Sequence, residues 1–525
     1  MFRLRLLPRR PRPDRSPPVA RAHRNSLIRS KPIFAVWVGT SEAVTPVFEA
    51  DGIPSYETES DAVQGFMHLV HYREALDALM ATPPSLPQDF KPDVAAARAV
   101  VANAVEGGRT WLDPIEMTRL LAAYSIPIAP ALLARNADEA AVAARPLLAE
   151  GLGVVAKILS PDIVHKSEVG GVRLNLTSER AVREAVADIL ARARAAKPDA
   201  RITGVTLHPM ILRPKARELI AGIADDPTFG PVIVFGRGGT AVEVIDDKAL
   251  ALPPLDLKLA RDLIGRTRVS RVLKAYRDVP AADIDAIALL LVKLAQLAAD
   301  VPQLRELDLN PVLADRSGII AVDARAMVAP LEPARRGPAG HPRFAIRPYP
   351  KEWERPAALR DGTRILVRPV RPEDEPLYGP FFAAVTPQDL RLRFFAPVKE
   401  FGHRFIARLT QIDYARAMAF VAIEETMGIM LGVIRLHADA NYDSGEYAVL
   451  VRSDLKGRGL GYLLMQLIIE YARAEGLKTI EGQVLSENTA MLAMCKELGF
   501  DIALDPRDPD TYMVKLAVRE PVPVS

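Results

Sequence analysis

The sequence is poor in cysteine and in long apolar runs. Its 525 residues include a single cysteine, Cys495, which excludes an intramolecular disulfide and is typical of proteins in a reducing cytosol. The longest apolar run of note, Ala286 to Val292, is followed by Lys293 and Gln296 and is too short to cross a bilayer. We therefore expect a buried helix there, no membrane partner and a cytoplasmic location.

A strong overall charge is also missing, because the net charge is only +3. Residues 1–30 hold nine arginines and one aspartate, so the rest of the chain is mildly acidic. Prolines there prevent a continuous helix, and no aromatic residue interleaves the arginines for base stacking. Such a start can mimic a transit peptide or a nucleic-acid arm. We interpret it as a disordered basic tail and expect no nucleic-acid partner.

The length of the chain exceeds what one hydrophobic core supports, so we expect several domains. Residues 31–92 have the pattern strand, helix, strand, helix, which is half of an α/β sheet and cannot satisfy its own edges. Residues 93–330 alternate helices and strands, and a proline-rich stretch at 331–350 is interpreted as a linker. Residues 351–525 form the last module. The predicted fold class is a multidomain α/β and α+β protein.

The most informative motif is EYAVLVRSDLKGRGLG at residues 446–461. It indicates an apolar strand, a basic Gly-rich turn and a helix that begins at once, with leucines repeating on one face. Free N–H groups, the positive end of the helix dipole and the lack of a Cβ favour a diphosphate at such a turn.

The order basic-x-x-Gly-x-Gly in this motif resembles the acetyl-CoA loop of GNAT-family N-acetyltransferases. The resemblance covers about residues 345 to 520 and implies a mixed sheet whose fourth strand, EYAVLVR, and fifth strand, IEGQVL, splay apart to admit the pantetheine arm. It implies acetyl-CoA as cofactor, bound by Val449, Val451, Lys456, Gly457, Arg458, Gly459, Leu460, Gly461 and Asn488.

The transfer chemistry needs a base for the amine and an acid for the departing thiolate. The family resemblance places the base at Glu446, provided that burial raises its pKa. A solvated strand-end carboxylate is the alternative, and Asp443 is a nearby substitute. Cys495 aligns with a tyrosine that serves as the acid in many members. A small buried core residue is the interpretation we favour there, so the acid stays unassigned.

The segments TPQDLRLRFF and LTQIDYARAMAFVAI closely resemble the acetyltransferase domains of bacterial protein-lysine acetyltransferases. In that group the GNAT domain is fused to a domain like that of NDP-forming acyl-CoA synthetases. The usual target is an AMP-forming acyl-CoA synthetase, which is silenced by acetylation of its active-site lysine. The resemblance suggests substrate contacts at Arg391, Arg393, Asp413 and Tyr414. The alternative is that the arginines are solvated, with Phe394 and Phe395 in the core.

The central module resembles the ATP-grasp half of the same synthetases. Three blocks carry the resemblance: VVAKILSPDIVHKSEVGGVRLNL, RELIAGIADDPTFGPVIVFGRGGTAVEVIDD and LRELDLNPVLADRSGIIAVDAR. Residues 31–80 resemble the last part of the family's flavodoxin-like domain. Because we find no counterpart of the family's N-terminal CoA-binding domain before Lys31, a synthetase reaction would require a separate CoA-binding α-like chain.

The ATP-grasp resemblance implies ATP or ADP between two lobes, with Lys157 reaching the phosphates. Two glycine pairs would let the backbone approach the nucleotide, and hairpin turns are the alternative for both. These pairs are Gly170 with Gly171 and Gly238 with Gly239.

Asp308 and Asn310 alternate on one predicted strand, and Asp323 lies on the next. Their oxygens suit Mg²⁺, although each one alone is an ordinary surface residue. His165 occupies the position of a phosphate-shuttling histidine of the family, with a capping or packing role as the alternative.

Three functions remain open from the sequence. The first is a protein-lysine acetyltransferase with a regulatory ATP-grasp half, which we favour. The second is a β-like subunit of an ADP-forming acyl-CoA (acetate–CoA) ligase. The third is a non-catalytic ligand-binding regulator.

Overall fold

The computed structural model describes residues 32–36, 45–50, 52–80, 86–87, 90–163, 166, 168–239, 246–331, 343–396, 400–506 and 508–518. The basic segment 1–30 and His165 lie outside these residues. The chain divides into two compact units, residues 1–81 and residues 82–525. The predicted domain limits at 30, 92, 330 and 350 stay predictions. In the part of the chain that is described, no helix is long and apolar enough to cross a membrane.

The first unit contains a pair of short parallel strands and two helices in the predicted order. Its small core includes Phe48 and Ile53. The elements are β1 (Ala35–Val36), α1 (Thr45–Ala50), β2 (Ser55–Tyr56) and α2 (Glu59–Met80).

The second unit begins with two helices and an antiparallel four-stranded sheet in the order β3-β6-β4-β5. Two further helices cover one face of this sheet, and apolar side chains at three- and four-residue spacing form the buried side of α6. The elements are α3 (Val94–Glu106), α4 (Pro114–Ala123), β3 (Leu132–Ala134), α5 (Ala137–Ala149), β4 (Val154–Leu159), β5 (Val172–Leu176), α6 (Glu179–Ala196) and β6 (Gly204–Pro209).

A six-stranded antiparallel sheet follows, in the order β11-β10-β7-β8-β9 with β12 also paired to β10. Its core surrounds α9, the helix predicted at Ala286 to Val292, which is buried on most sides. The elements are β7 (Arg217–Asp226), β8 (Gly230–Arg237), β9 (Lys248–Ala251), α7 (Leu257–Gly265), α8 (Ser270–Leu273), α9 (Ile284–Asp300), β10 (Leu304–Asp315), β11 (Gly318–Ala321) and β12 (Ala324–Val328).

The last part of the unit is an eight-stranded mixed sheet in the order β13-β14-β15-β16-β17-β18-β20-β19. Only the pair β17 and β18 is parallel, and α13 connects the two strands. The elements are β13 (Arg355–Ala358), β14 (Arg364–Pro369), α10 (Glu375–Ala383), α11 (Pro387–Phe394), α12 (His403–Thr410), β15 (Ala417–Glu424), β16 (Met430–Ala438), β17 (Ser444–Val451), α13 (Leu460–Ala474), β18 (Thr479–Leu485), α14 (Thr489–Glu497), β19 (Asp501–Asp505) and β20 (Asp508–Ala517).

The two faces of this sheet are covered by different helices. Leu460, Leu464 and Ile468 of α13 pack on one face, and aromatic side chains of α10, including Tyr378 and Phe381, pack on the other. The strand that carries Glu446 is the fifth strand of the sheet rather than the expected fourth, because the short edge strand β13 precedes the others.

Candidate functional sites

The parallel strands β17 and β18 separate soon after they begin. Their pairing is confined to residues 444–446 of β17 and 479–481 of β18. Beyond Glu446, β17 continues to Val451 paired with β16 alone, and β18 continues paired with β20. The facing backbone edges past Glu446 are therefore unpaired with each other, as an inserted extended ligand would require.

The Gly-rich turn follows directly at the end of β17. Gly457 has φ +78° and Gly459 has φ +88°, which is left-handed backbone that glycine adopts without a Cβ penalty. Gly459 is the N-cap of α13, and no side chain caps the helix there. The first-turn amides of α13 consequently have no helical acceptor and point toward the turn.

The basic side chains of this turn are engaged by carboxylates of the chain. Lys456 forms an ion pair with Asp389 of α11, and Arg458 Nη1 lies 2.6 Å from Asp361 Oδ2. Burial opposes the ionisation of Asp389, but hydrogen bonds from Lys456 and Ser453 outweigh it and hold the pKa of Asp389 below its usual value. The backbone amides are thus the donors that remain for a phosphate.

Glu446 belongs to a row of polar side chains that crosses the sheet. Its partners in register are His437 of β16 and Glu481 of β18, and directly opposed residues lie on the same face. Lys515 Nζ continues the row, 3.9 Å from Glu481 Oε2. The expected burial of Glu446 is wrong, because Glu446 is exposed. Its two neighbours on the strand, Gly445 and Tyr447, are buried on the opposite face of the sheet.

A second cluster lies between the four-stranded and six-stranded sheets. Lys157 of β4 is buried on the side of its sheet away from α5 and α6. Its Nζ lies 3.4 Å from Asp323 Oδ1 and donates to the Val322 carbonyl at 3.4 Å. Burial opposes ionisation of Asp323, but Lys157 and Lys166 outweigh it and lower its pKa. The residues that join β11 to β12 of the six-stranded sheet therefore contact Lys157 of the four-stranded sheet.

Comparisons with known proteins identify two domain families. Residues 103–328 match the ATP-grasp domain family, and residues 388–500 match the acetyltransferase (GNAT) family. The β subunit of ADP-forming acetate–CoA ligase I from Pyrococcus furiosus is 37% identical over 235 residues, which are 45% of this chain and 99% of that subunit. An acetyltransferase of Pseudomonas aeruginosa is 32% identical over 163 residues, which are 31% of this chain and 88% of that protein. The chain belongs to both families.

A solved structure shows the same partial coverage. An acetyl-coenzyme A synthetase of Ca. Korarchaeum cryptofilum, in complex with coenzyme A, has 36% identity and a TM-score of 0.42 over 44% of this chain and 99% of that chain. The family matches and the identity with the ligase β subunit show that the protein joins an ATP-grasp domain of the NDP-forming acyl-CoA synthetase type to a C-terminal GNAT domain.

The predicted magnesium ligands of the ATP-grasp domain lie on one strand and one turn. Asp308 and Asn310 lie on β10, but the expected strand position of Asp323 is wrong, because this residue lies in the turn between β11 and β12. Asn310 N donates to the Asp323 carbonyl at 3.2 Å, and Asn310 Oδ1 accepts from Gly239 N at 3.3 Å. Asp308 lies two residues before Asn310. Desolvation raises its pKa, Arg325 opposes the rise, and the charge of Asp323 adds to it. Among the described residues no three His, Cys, Asp or Glu side chains are grouped to hold a metal. The two carboxylates and the amide oxygen of the predicted set are the type of ligand that Mg²⁺ prefers, and the magnesium site stays a prediction.

The glycines predicted to approach phosphates are held against the chain itself. A Cβ on Gly171 would lie 2.5 Å from Ile158 Cγ2, and one on Gly238 would lie 2.4 Å from the Leu219 carbonyl oxygen. Gly170 and Gly239 have φ of +63° and +87°. Backbone conformation and close packing therefore account for these glycines, and their contact with phosphates stays a prediction.

Asn488 and Cys495 have structural contacts in the GNAT domain. Asn488 is the N-cap of α14 and accepts from Met491 N at 3.2 Å. Cys495 is fully buried, its Sγ lies 3.1 Å from the Tyr447 hydroxyl, and burial raises the pKa of its thiol. The Tyr447 ring leaves no space for a Cβ at Gly482 of the neighbouring strand. The core interpretation of Cys495 is supported. Val449 and Val451 pack on the same face as Tyr447.

Most other residues of the predicted acceptor site are occupied by contacts within the domain. Arg391 pairs with Glu487, and the Tyr414 hydroxyl donates to the Val370 carbonyl. Asp443, the suggested substitute for the base, is also paired, since its Oδ1 lies 2.6 Å from Lys478 Nζ. Asp413 is exposed. Phe394 is partly buried as expected. The expected burial of Phe395 is wrong. Its φ of +58° ends α11 and leaves the ring 43% exposed.

Two histidines and one arginine were missed by the sequence reasoning. In β16, His437 and Arg435 alternate onto the face of Glu446. Burial and the charge of Arg435 lower the pKa of His437, while Glu446 opposes this. In β6, His208 shares the face of Lys157, and burial followed by the Lys157 charge lowers its pKa to about 4. The alternation of side chains between the two faces of a strand could have predicted that these residues share a face with Glu446 and Lys157.

Proposed function

We propose that this protein is an acetyl-CoA-dependent N-acetyltransferase that acts on lysine side chains of proteins, with a regulatory ATP-grasp half. The observation that carries the proposal is the separation of β17 from β18 after Glu446, directly ahead of the uncapped helix start at Gly459. The separated strand edges offer backbone groups to an extended ligand, and the helix start that follows offers free amides to a diphosphate.

The cofactor contacts follow from that geometry. The amides of Leu460 and Gly461 stabilise the pyrophosphate, and the unpaired edges of β17 and β18 bind the pantetheine arm. Acetyl-CoA, when bound, supplies an acetyl group activated as a thioester. Lys456 and Arg458 border the turn and attract the cofactor electrostatically, although each is paired with a carboxylate.

Glu446 acts as the base in this proposal. Its exposed carboxylate takes a proton from the lysine ammonium, directly or through one water. His437, on the neighbouring strand, has a lowered pKa and stays neutral near pH 7, so it does not add a positive charge beside the amine. The amine nitrogen then bonds to the acetyl carbon, the carbon–sulfur bond breaks, the nitrogen loses its second proton to solvent as the amide forms, and the departing thiolate takes up one proton from solvent.

The acceptor protein is an AMP-forming acyl-CoA synthetase in a cytoplasmic setting. The likeness of residues 386–395 to the corresponding segment of protein-lysine acetyltransferases supports this choice. The 32% identity with an acetyltransferase over 88% of that protein supports the reaction class.

The test follows labelled acetyl transfer from acetyl-CoA to a purified AMP-forming synthetase. Glu446→Gln is expected to lower kcat by about 100-fold, the usual contribution of a general base, with unchanged acetyl-CoA affinity. Glu470→Gln is the matched control, because Glu470 is an exposed residue of the same domain that pairs with Arg355. Equal labelling by wild type and Glu446→Gln would refute the base assignment, and no labelling by wild type would refute the function.

A second candidate is the β-like subunit of an ADP-forming acyl-CoA ligase. The ion pair between Lys157 and Asp323 and the 37% identity over 99% of a ligase β subunit favour it. Lys157 would bind ATP or ADP phosphates, and Asp308, Asn310 and Asp323 would hold Mg²⁺, which neutralises phosphate charge. Reconstitution with a separate CoA-binding chain should yield nucleotide-dependent phosphate on His165, and Lys157→Ala should abolish it. Absence of phosphohistidine in the reconstituted complex would exclude this candidate.

A further inference from the structure

A cleft opens on the face of the GNAT sheet that carries Glu446. Strands β16 and β17 form its floor, and helices α10, α11 and α12 form its walls. Two arginines, Arg393 of α11 and Arg435 of β16, line it together with Tyr378 and Ala448. Arg393 is one of the substrate contacts that the family resemblance suggests, and no role described above uses Arg435 or the chemistry of this cleft.

The cleft begins one step along the sheet from the base. Arg435 is paired in register with Ala448, and His437 is paired with Glu446. Residues two apart on a strand lie on the same face, about 7 Å from each other. A group bound at Arg435 therefore lies within the length of one side chain of an amine held at Glu446.

Neither arginine has a carboxylate partner. Arg435 is only 7% exposed, donates to the Leu409 carbonyl and lies beside the Tyr378 hydroxyl. Arg393 lies over the Phe394 ring at 5.0 Å. No ion pair of either guanidinium occurs in the described parts of the chain. The negative charge of Glu446 acts on Arg393 and favours its charged form. Burial, and then the charge of Arg435, lower the pKa of Arg393 to about 10.

Another buried arginine of the same sheet shows the contrast. Arg368 is 8% exposed and forms a double hydrogen bond with Asp374, with the shorter contact at 2.6 Å. Burying a guanidinium without a counter-charge is costly. The pair in the cleft is therefore arranged to receive an anion from outside the chain.

We propose that this cleft binds a carboxylate of the acceptor, so that the preferred lysine has an acidic side chain beside it. The forked guanidinium groups match the two oxygens of a carboxylate, and the aromatic wall suits the methylene groups between the carboxylate and the amine. The inference rests on the proposed function, because it names the acceptor chemistry of the same site.

The test uses pairs of lysine peptides that differ in one neighbouring residue, aspartate or asparagine, with the full chain and acetyl-CoA. Wild type is expected to acetylate the aspartate peptide with a kcat/KM about tenfold higher. Arg393→Gln is expected to reduce this ratio to about twofold or less, and Arg393→Lys to keep most of it. Arg408→Gln is the matched control, since Arg408 is exposed on α12 and does not line the cleft.

The outcomes separate this inference from the function on which it depends. Equal rates for the two peptides with wild type, or an unchanged ratio in Arg393→Gln, would overturn the carboxylate site and leave the transferase intact. Acetyl-CoA binding without acetylation of any lysine peptide or protein would overturn both. Free lysine is included as a third acceptor. Faster acetylation of free lysine than of the aspartate peptide would assign the cleft to an α-carboxylate and overturn the peptide preference.

Discussion

Lys456 of the Gly-rich turn forms an ion pair with Asp389, a buried residue of α11. Asp389 also accepts a hydrogen bond from the Ser453 hydroxyl just before the turn. One helical turn later, the same helix carries Arg393, which lines the cleft. A single short helix therefore contacts the expected cofactor turn at one end and the proposed acceptor site at the other.

Replacing Asp389 with asparagine should destabilise the GNAT domain. The change leaves Lys456 unpaired and weakens the contact with Ser453. Because Lys456 is largely exposed, we expect a loss of about 1–2 kcal/mol rather than the full cost of a broken buried pair. Calorimetry measures this loss in the unfolding transition of the GNAT domain, which is the transition that acetyl-CoA shifts. Asp454→Asn, at an exposed pair with Arg452, should change stability by less than about 0.5 kcal/mol. Equal effects of the two variants would contradict the prediction.

A methyl group at Gly461 should weaken acetyl-CoA binding without harming the fold. A Cβ there would meet only Val451 Cγ2, at 3.9 Å, but it would stand among the amides proposed to hold the pyrophosphate. Gly461→Ala is expected to raise the Kd about tenfold, a difference of about 1.4 kcal/mol, in titration calorimetry.

Gly402→Ala is its control, because a Cβ on that residue meets nothing within 4 Å and Gly402 is the N-cap of a different helix, α12. Acetyl-CoA at 100 times its Kd should stabilise wild type by about 2.7 kcal/mol. Tight binding by Gly461→Ala would show that the pyrophosphate lies elsewhere. If acetyl-CoA does not stabilise the wild-type protein at all, the result would favour the third hypothesis, a non-catalytic regulator that does not bind acetyl-CoA.

Removal of the Cys495 thiol should cost stability and spare catalysis. The side chain is fully buried against the Tyr447 hydroxyl, so Cys495→Ala should lower the unfolding free energy by about 1–2 kcal/mol. Steady-state kinetics of acetyl transfer should give a kcat within a factor of about two of wild type. Removal of a general acid would instead lower kcat by about 100-fold or more. A kcat about 100-fold lower in Cys495→Ala would assign the thiol as the proton donor.

His208 should make the ATP-grasp domain sensitive to acid. Its folded-state pKa of about 4 lies below the ordinary value of 6.5. The unfolded chain therefore binds more protons between these values, and stability falls as pH drops from 6.5 toward 4. The full effect is about 3 kcal/mol.

Thermal midpoints recorded from pH 4 to pH 8 check this expectation. The decline below pH 6.5 should be shallower in His208→Gln than in wild type. His71→Gln, at an exposed position of α2, serves as the control. Identical slopes for His208→Gln and wild type would refute the contribution of His208.

Local patterns predicted many elements well. The strand, turn and helix at 446–461, the helix α2 and the buried helix α9 all follow from apolar spacing and glycine positions within a few turns. The left-handed backbone at Gly457 and Gly459 agrees with that local logic. Local patterns did not predict the exposure of Phe395, because its left-handed backbone at the end of α11 turns the ring outward.

The sequence by itself determined the order of helices and strands and the helix start that favours a diphosphate, because both depend on neighbours within a few residues. Only the tertiary structure decided that Glu446 is exposed, that Lys456 is paired with Asp389, and that Arg393 and Arg435 share one cleft. These relationships depend on strand register and on helices packed across the sheet, and burial and charge pairing are set by contacts between residues far apart in the chain.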